Sequence, residues 1–377
     1  MNKKLLAVAV AGALAAPGAA MAQVTISGIF KVGITAGSID NASAARANDS
    51  ELRVDDNSSR ILFNASEDLG GGLSAIGQFD VRFAPDQAGT APASNPIGSG
   101  NTYVGLRSTS WGTVSLGRWD LHYGKQPDDI ATKAGALMAS SVSLMDFHAA
   151  GTIPVANATR TANVIKWDSP NWGGFQLTAA YSTAPLAAAS EADMSTTAAG
   201  SKTDSGDGMN LQAQFTAANW QIGASMWDAK AEAGTAATAP WEQDSQAVWG
   251  YIRFGGFKVG AAMNVATLQN SAGADISDRT SYTVPASFTT GPHNFYAHYT
   301  IADDDDATVA EDGATMIAFA YVYDLSKRTS VGITYAMIDN DDFGRYTPFT
   351  GGGLAANGGM LAGEDPTIIQ ATLRHAF

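Results

Sequence analysis

From Gln23 to the terminal Phe377, apolar and polar residues alternate in short runs, the period-2 signature of strands with one oily and one polar face. Val24, Ile26, Phe30, Val32 and Ile34 share one parity, while Thr25, Ser27 and Lys31 take the other. Trp220, Ile222, Ala224 and Met226 oppose Gln221 and Ser225; Phe257, Val259, Ala261 and Met263 oppose Lys258 and Asn264. The closing stretch "TIIQATLRHAF" behaves alike, with Ile369, Ala371, Leu373 and Phe377 on one face and Gln370, Thr372 and Arg374 on the other. About sixteen such segments are predicted, with almost nothing helical.

The connections alternate in length. Tight turns are expected at 67–73, 108–113, 168–175, 216–220, 254–257, 289–294 and 324–329. Between them lie long polar stretches at 38–58, 84–100, 121–159, 183–207, 230–244, 267–278, 303–313 and 340–365. Seven short turns and eight long loops make sixteen strands with every long loop at one end. A soluble sandwich has no cause to segregate loops this way. A 16-stranded antiparallel transmembrane β-barrel does, with short turns facing the periplasm and long loops facing out. In lipid the sheet must close, because an unpaired edge leaves backbone groups unsatisfied at several kcal/mol each. The C-terminal strand is therefore expected to pair with the first strand at Val24. Trp111, Trp167, Trp172, Trp220, Phe257, Tyr321 and Tyr323 sit at strand ends, where interfacial girdles form.

The first 22 residues read as a cleaved secretory signal peptide: Lys3 and Lys4, an apolar run from Leu5 to about Ala16, and the small-residue site Ala20-Met21-Ala22. That run is too short to span a bilayer as a helix. Residues 23–377 then form one barrel domain. Removing the leader leaves 20 basic residues (22 − 2) against 36 acidic ones, a formal charge of −16, which disfavours nucleic acid as a partner. The chain has no cysteine, so neither disulfides nor a Cys-ligated metal is expected.

Beyond the periodicity, "SRILFNASEDLGGGLSAIGQF" (59–79), "YVGLRSTSWGTVSLGR" (103–118), "NVIKWDSPNWGGFQL" (163–177), "DLSKRTSVGITYA" (324–336) and "LRHAF" (373–377) resemble the general porins of Gram-negative bacteria, beta-proteobacterial type. The resemblance covers residues 23–377 in order. It implies an outer-membrane homotrimer of water-filled barrels that pass ions and small hydrophilic solutes, each narrowed by its third external loop, here about 121–159. It also implies that the terminal Phe377 is read as an assembly signal. Three departures stand out. Gly100 occupies a position where the family usually carries a pore-wall Arg, Ser27 replaces a usual Tyr, and Pro285 implies a bulge in "SYTVPASF".

By parity Arg60, Arg82, Arg107, Arg160 and Lys166 point inward, with Arg60 and Arg160 where the family places its basic cluster. Strict alternation would put Arg118 on the lipid face at a cost of roughly 2–4 kcal/mol, so a bulge at Gly117 is expected to turn it inward. Opposite this wall the long loop offers Asp120, Asp128, Asp129 and Asp146. A basic wall facing an acidic loop would give weak charge selectivity. The runs "DDDD" (303–306) and "DNDD" (339–342) read as solvated external loops, with bridging of lipopolysaccharide by divalent cations as the alternative. No enzymatic signature appears: His122, His148, His293, His298 and His375 form no HExxH pair, and there is no GxSxG elbow. "DLGGGL" lacks the Lys-Ser/Thr of a phosphate loop, so no cofactor is expected. Two other readings compete, a substrate-specific channel and, from another class, a secretion or adhesin β-domain. A substrate-specific channel would need an aromatic slide, and the inward Trp119, Trp227, Trp249, Tyr251 and Tyr296 are scattered. A secretion or adhesin β-domain would need a passenger segment before the barrel.

Overall fold

The computed structural model describes residues 23–44, 46, 48–86, 98–146, 159–183, 185, 206–230, 242–270, 272–308, 310–349 and 359–377; the proposed signal peptide lies outside them. Alternation produces one continuous antiparallel sheet. Its strands are β1 (Gln23–Asp40), β2 (Ser50–Asp56), β3 (Arg60–Gly70), β4 (Leu73–Arg82), β5 (Thr102–Ser108), β6 (Gly112–Trp119), β7 (Thr161–Asp168), β8 (Phe175–Ser182) and β9 (Asp207–Thr216). They continue as β10 (Trp220–Lys230), β11 (Glu242–Phe254), β12 (Phe257–Gln269), β13 (Asp275–Thr290), β14 (His293–Ala302), β15 (Ala314–Asp324), β16 (Thr329–Asn340) and β17 (Asp365–Ala376). From β3 onward each strand pairs with the next in the chain, β1 pairs with both β2 and β3, and β17 returns to β1. β2 and β3 are two halves of one barrel strand, since both pair with β1, through Ser38↔Ser50 to Val32↔Asp56 and through Ile29↔Arg60 to Gln23↔Ser66. The carboxylate of Asp56 creates the break by accepting the N–H groups of Ser58 and Ser59, both at 2.9 Å. The barrel thus closes with sixteen strands.

Closure runs to the last residue. Backbone bonds link Gly28 N–H to the Phe377 carbonyl at 3.1 Å and Phe377 N–H to the Gly28 carbonyl at 3.0 Å. The Phe377 ring packs on Phe30 with centroids 5.7 Å apart, and a Cβ on Gly28 would lie 2.4 Å from it. Val24, Ile26, Ile34, Val104, Leu116, Ile222, Val248, Ile333 and Leu373 stand exposed on the outer face. Near the short turns the rings form a belt: Trp167, Trp172 and Phe175 in one run, and Phe254, Phe257, Phe288, Phe295 and Tyr321 in another.

Two local expectations are corrected. Pro285 makes no bulge: pairs Val259↔Ala286 and Ala262↔Thr283 keep one register across it, so the missing N–H interrupts the ladder without displacing it. The stretch 267–278 is not a long loop. β12 and β13 continue pairing through Thr267↔Asp278 and Leu268↔Ser277, leaving only 270–274 as connection.

Candidate functional site

The long connection between β6 and β7 folds back inside the barrel, and its described part, 120–146, lies against one side of the wall. It carries a 3-10 turn (Leu137–Ala139) and a single-turn helix, α1 (Val142–Met145). Ile130, Ala134, Met138 and Leu144 pack on Met316, Ala318, Val322, Ile338 and Ile368. The inner face of β15 is therefore apolar, against the polar-in rule. Lipid dries one side of that strand and the loop dries the other, so both faces gain from burial. Gly332 permits the approach, because a Cβ there would sit 2.5 Å from the Ala134 carbonyl.

Polar pins fix the loop at several heights. Lys31 Nζ donates to the Ala131 carbonyl at 2.7 Å; Lys258 Nζ reaches the Pro127 carbonyl at 3.0 Å and Asp129 Oδ2 at 2.7 Å; Lys133 pairs with Asp324. At the loop's foot, buried His122 has Nδ1 2.8 Å from Ser225 Oγ and Nε2 3.2 Å from Asn264 Oδ1, an acceptor, so Nε2 carries the hydrogen. Burial lowers its pKa to about 4, with Lys125 helping and the Asn264 bond opposing, so the ring is neutral at pH 7.

On the uncovered side a chamber of about 600 Å³ opens. Its lining carries six basic residues, Lys31, Arg53, Arg60, Arg82, Arg160 and Arg374, against four acids, Asp55, Asp56, Asp86 and Asp120, a surplus of 6 − 4 = +2. Several are paired: Arg53 with Asp55 at 2.6 Å, and Arg82 with Asp80 at 3.2 Å. Among the described residues the guanidinium groups of Arg60, Arg160 and Arg374 have no hydrogen-bond or ion-pair partner, and the Nε of each is a buried donor without an acceptor. Gly100 also bears on this wall. A Cβ there would meet Asp80 Oδ2 at 1.9 Å, so the carboxylate engaging Arg82 fills the space where a basic side chain would emerge.

Arg118 reaches the same region. Gly117 has φ 150, the β6–β7 register shifts between Gly117 and Trp119, and Arg118 Nε donates to the Arg160 carbonyl at 2.8 Å. Arg160 itself is held at φ 45, with its N–H donating to Asp120 Oδ1 at 2.8 Å. Lys166 lines a separate side chamber of about 280 Å³ together with Lys125, Gln176, Gln212 and Gln214. Its ammonium is neutralised by Asp168 at 2.7 Å and lies 3.8 Å from the centre of the Trp119 ring. Arg107 lines neither chamber; it is the penultimate residue of β5, one residue from its turn end, and is exposed.

The loop acids do not form one face. Asp120 lines both chambers. Asp128 is absorbed in the loop's own fold, accepting Ile130 N–H at 2.8 Å and Ser141 N–H and Oγ at 2.9 and 3.0 Å. Asp129 is tied to Lys258, and buried Asp146 accepts from Gly124 N–H at 3.2 Å and Gln126 Nε2 at 3.3 Å. A carboxylate near backbone N–H groups and a lysine satisfies those first, leaving little field for the lumen. The run at 303–306 is likewise not freely solvated: Asp305 is buried against Arg279 at 3.3 Å, and Asp304 accepts Gly313 N–H at 2.8 Å. Of the inward aromatics, Trp227, Trp249 and Tyr296 are buried and unavailable as a slide.

Sequence reasoning assigned no place at the chamber to Arg374, Arg53 or the last long loop. Parity had already placed Arg374 on the polar face; no periodic signal marks the loop. Its Tyr346 is buried beside Arg279, and Phe349 N–H donates to Ser143 Oγ at 2.8 Å, so this loop packs on the third one from above.

Residues 7–342 match the sequence profile of the Gram-negative porin family. The chain is 29% identical to outer membrane porin protein 32 of Delftia acidovorans over the full length of both. Among solved structures it is similar to an anion-selective porin from Comamonas acidovorans, with TM-score 0.75 and 24% identity over 95% of this chain and 100% of that one. It is also similar to the trimer form of OmpT from Vibrio cholerae, with TM-score 0.62 and 13% identity over 94% of this chain and 99% of that one.

Proposed function

Because the chain belongs to the Gram-negative porin family, we propose that it forms an outer-membrane channel for passive diffusion of ions and small hydrophilic solutes, with a mild preference for anions. The observation that carries the sign is the trio of guanidinium groups without a partner among the described residues, Arg60, Arg160 and Arg374, on the uncovered wall of the main chamber. Arg118 braces this wall through Arg160, and Arg82 stands beside it partly neutralised by Asp80. Facing it, the loop contributes Asp120 rather than an acidic surface. The chain's acidic surplus lies mostly at the long-loop end, and screening over about 8 Å in physiological salt leaves it little influence at the chamber. The Comamonas relative's description as anion-selective agrees in sign.

The same reading includes export by the leader at residues 1–22 and assembly as a homotrimer, the form in which the OmpT neighbour was solved. Bridging to lipopolysaccharide by divalent cations at the acidic outer loops remains part of the proposal.

The test is the reversal potential of the purified protein in a planar bilayer under a potassium chloride gradient. Chloride-favouring potentials are expected; a cation-favouring potential would reverse the assignment of the guanidinium trio.

A further inference from the structure

The main chamber has a second side with different chemistry. Tyr123 and Leu137 of the third loop and Phe349 of the last loop line it, each half-buried, and the Tyr123 and Phe349 rings lie 6.1 Å apart at 46°. The wall side presents Arg60, Arg160 and Arg374, which have no acceptor among the described residues. A cavity of about 600 Å³ that offers planar guanidinium donors on one side and apolar ring surface on the other complements an anion with an apolar body.

We propose that this chamber is a transient binding subsite for small aromatic carboxylates. The carboxylate takes the Arg60 and Arg160 donors while the ring lies against Tyr123, Leu137 and Phe349. The inference rests on the reading of the chain as an anion-preferring channel and names its solute class. Acetate satisfies only the guanidinium side, and a neutral aromatic alcohol only the apolar side. Binding remains weak enough for the solute to leave, as conduction requires.

Single-channel chloride current is recorded from the purified protein with acetate, benzoate or benzyl alcohol added at neutral pH. Benzoate is expected to interrupt the current at a concentration about tenfold below acetate, equivalent to about 1.4 kcal/mol. Benzyl alcohol at benzoate's concentrations is expected to leave the current unbroken. Phe349→Ala and Leu137→Ala are expected to bring benzoate up to acetate's concentration. Equal action of benzoate and acetate on the unmodified protein overturns the subsite whatever the variants do, and so does equal action of benzoate and benzyl alcohol. Those failures leave chloride preference intact, whereas a cation-favouring reversal potential removes the anion-channel reading itself.

Discussion

Arg118 Nε donates to the backbone carbonyl of Arg160 at 2.8 Å, and this bond ties the bulge at Gly117 to a residue held in the left-handed region. A non-glycine residue at φ 45 costs on the order of 1–3 kcal/mol and persists only when its surroundings hold it. Here the carbonyl is held by Arg118 and the N–H by Asp120. Arg118→Ala is expected to free Arg160, weaken anion preference and lower stability by about 1–3 kcal/mol. Melting temperature and reversal potential check both parts; an unchanged potential would show that Arg160 holds its place unaided.

Selectivity is expected to follow the chamber rather than the net charge. Arg60→Ser or Arg160→Ser removes one of three unpaired cations and is expected to move the reversal potential toward cations. Asp306→Asn and Asp342→Asn change exposed carboxylates at the long-loop end and are expected to move it hardly at all. A larger shift from the aspartates than from the arginines would place control of selectivity outside the chamber.

The barrel was legible in the sequence because lipid enforces two simple rules, alternation and closure, at nearly every strand. Arg118 was legible for the same reason, since a charge on the lipid face demands a bulge. What escaped was set by long-range packing. The apolar inner face of β15 looks anomalous until Ile130, Met138 and Leu144 are laid on it. Asp128, Asp129 and Asp146 look like free loop charges until Ser141, Lys258 and Gly124 claim them. Pairing across more than a hundred residues, as between Lys258 and Asp129, leaves no local pattern to read.

Removing Phe377 deletes both backbone bonds to Gly28 and the ring contact with Phe30. The lost apolar anchor is worth up to about 2–3 kcal/mol. The truncated protein is expected to appear at lower level in the outer membrane and to unfold more readily when it does. Gly28→Val, which sets a side chain against the same ring, is expected to reproduce part of the defect. Surface quantification and thermal unfolding in detergent decide it; normal levels of the truncated chain would contradict the role given to this junction.

Acid is expected to loosen the inner loop before the outer one. His122 has a folded pKa lowered from 6.5 to about 4, mainly by burial, so its neutral form is favoured by folding. Its contribution is complete above pH 6.5 and declines as pH falls toward 4. Glu364 is raised by desolvation, but Arg46, with Nε at 2.8 Å, and the N–H groups of Leu361 and Ser43 bring it from 4.5 down to about 2. Its contribution is present above pH 4.5 and is lost on acidification toward 2. Unfolding rates measured from pH 7 to 2 are expected to rise in the native protein, to flatten between pH 6.5 and 4 in His122→Gln, and to flatten only below 4.5 in Glu364→Gln.

The position of the third loop depends on the space left by Gly332, where a Cβ would fall 2.5 Å from the Ala134 carbonyl and 2.9 Å from Val322 Cγ2. Neither neighbour can yield easily, since one is backbone and the other belongs to the apolar seat of the loop. Gly332→Leu therefore has to push the loop off the β15–β16 wall and toward the guanidinium side. The lumen is narrowed, so single-channel conductance is expected to fall. Met316→Ala, which leaves a cavity beneath the loop instead, is expected to cost about 2–5 kcal/mol of stability without pushing the loop toward the arginines. A conductance increase in Gly332→Leu would mean that the loop leaves the lumen when its seat is disturbed, and that the apolar contacts alone hold it inside.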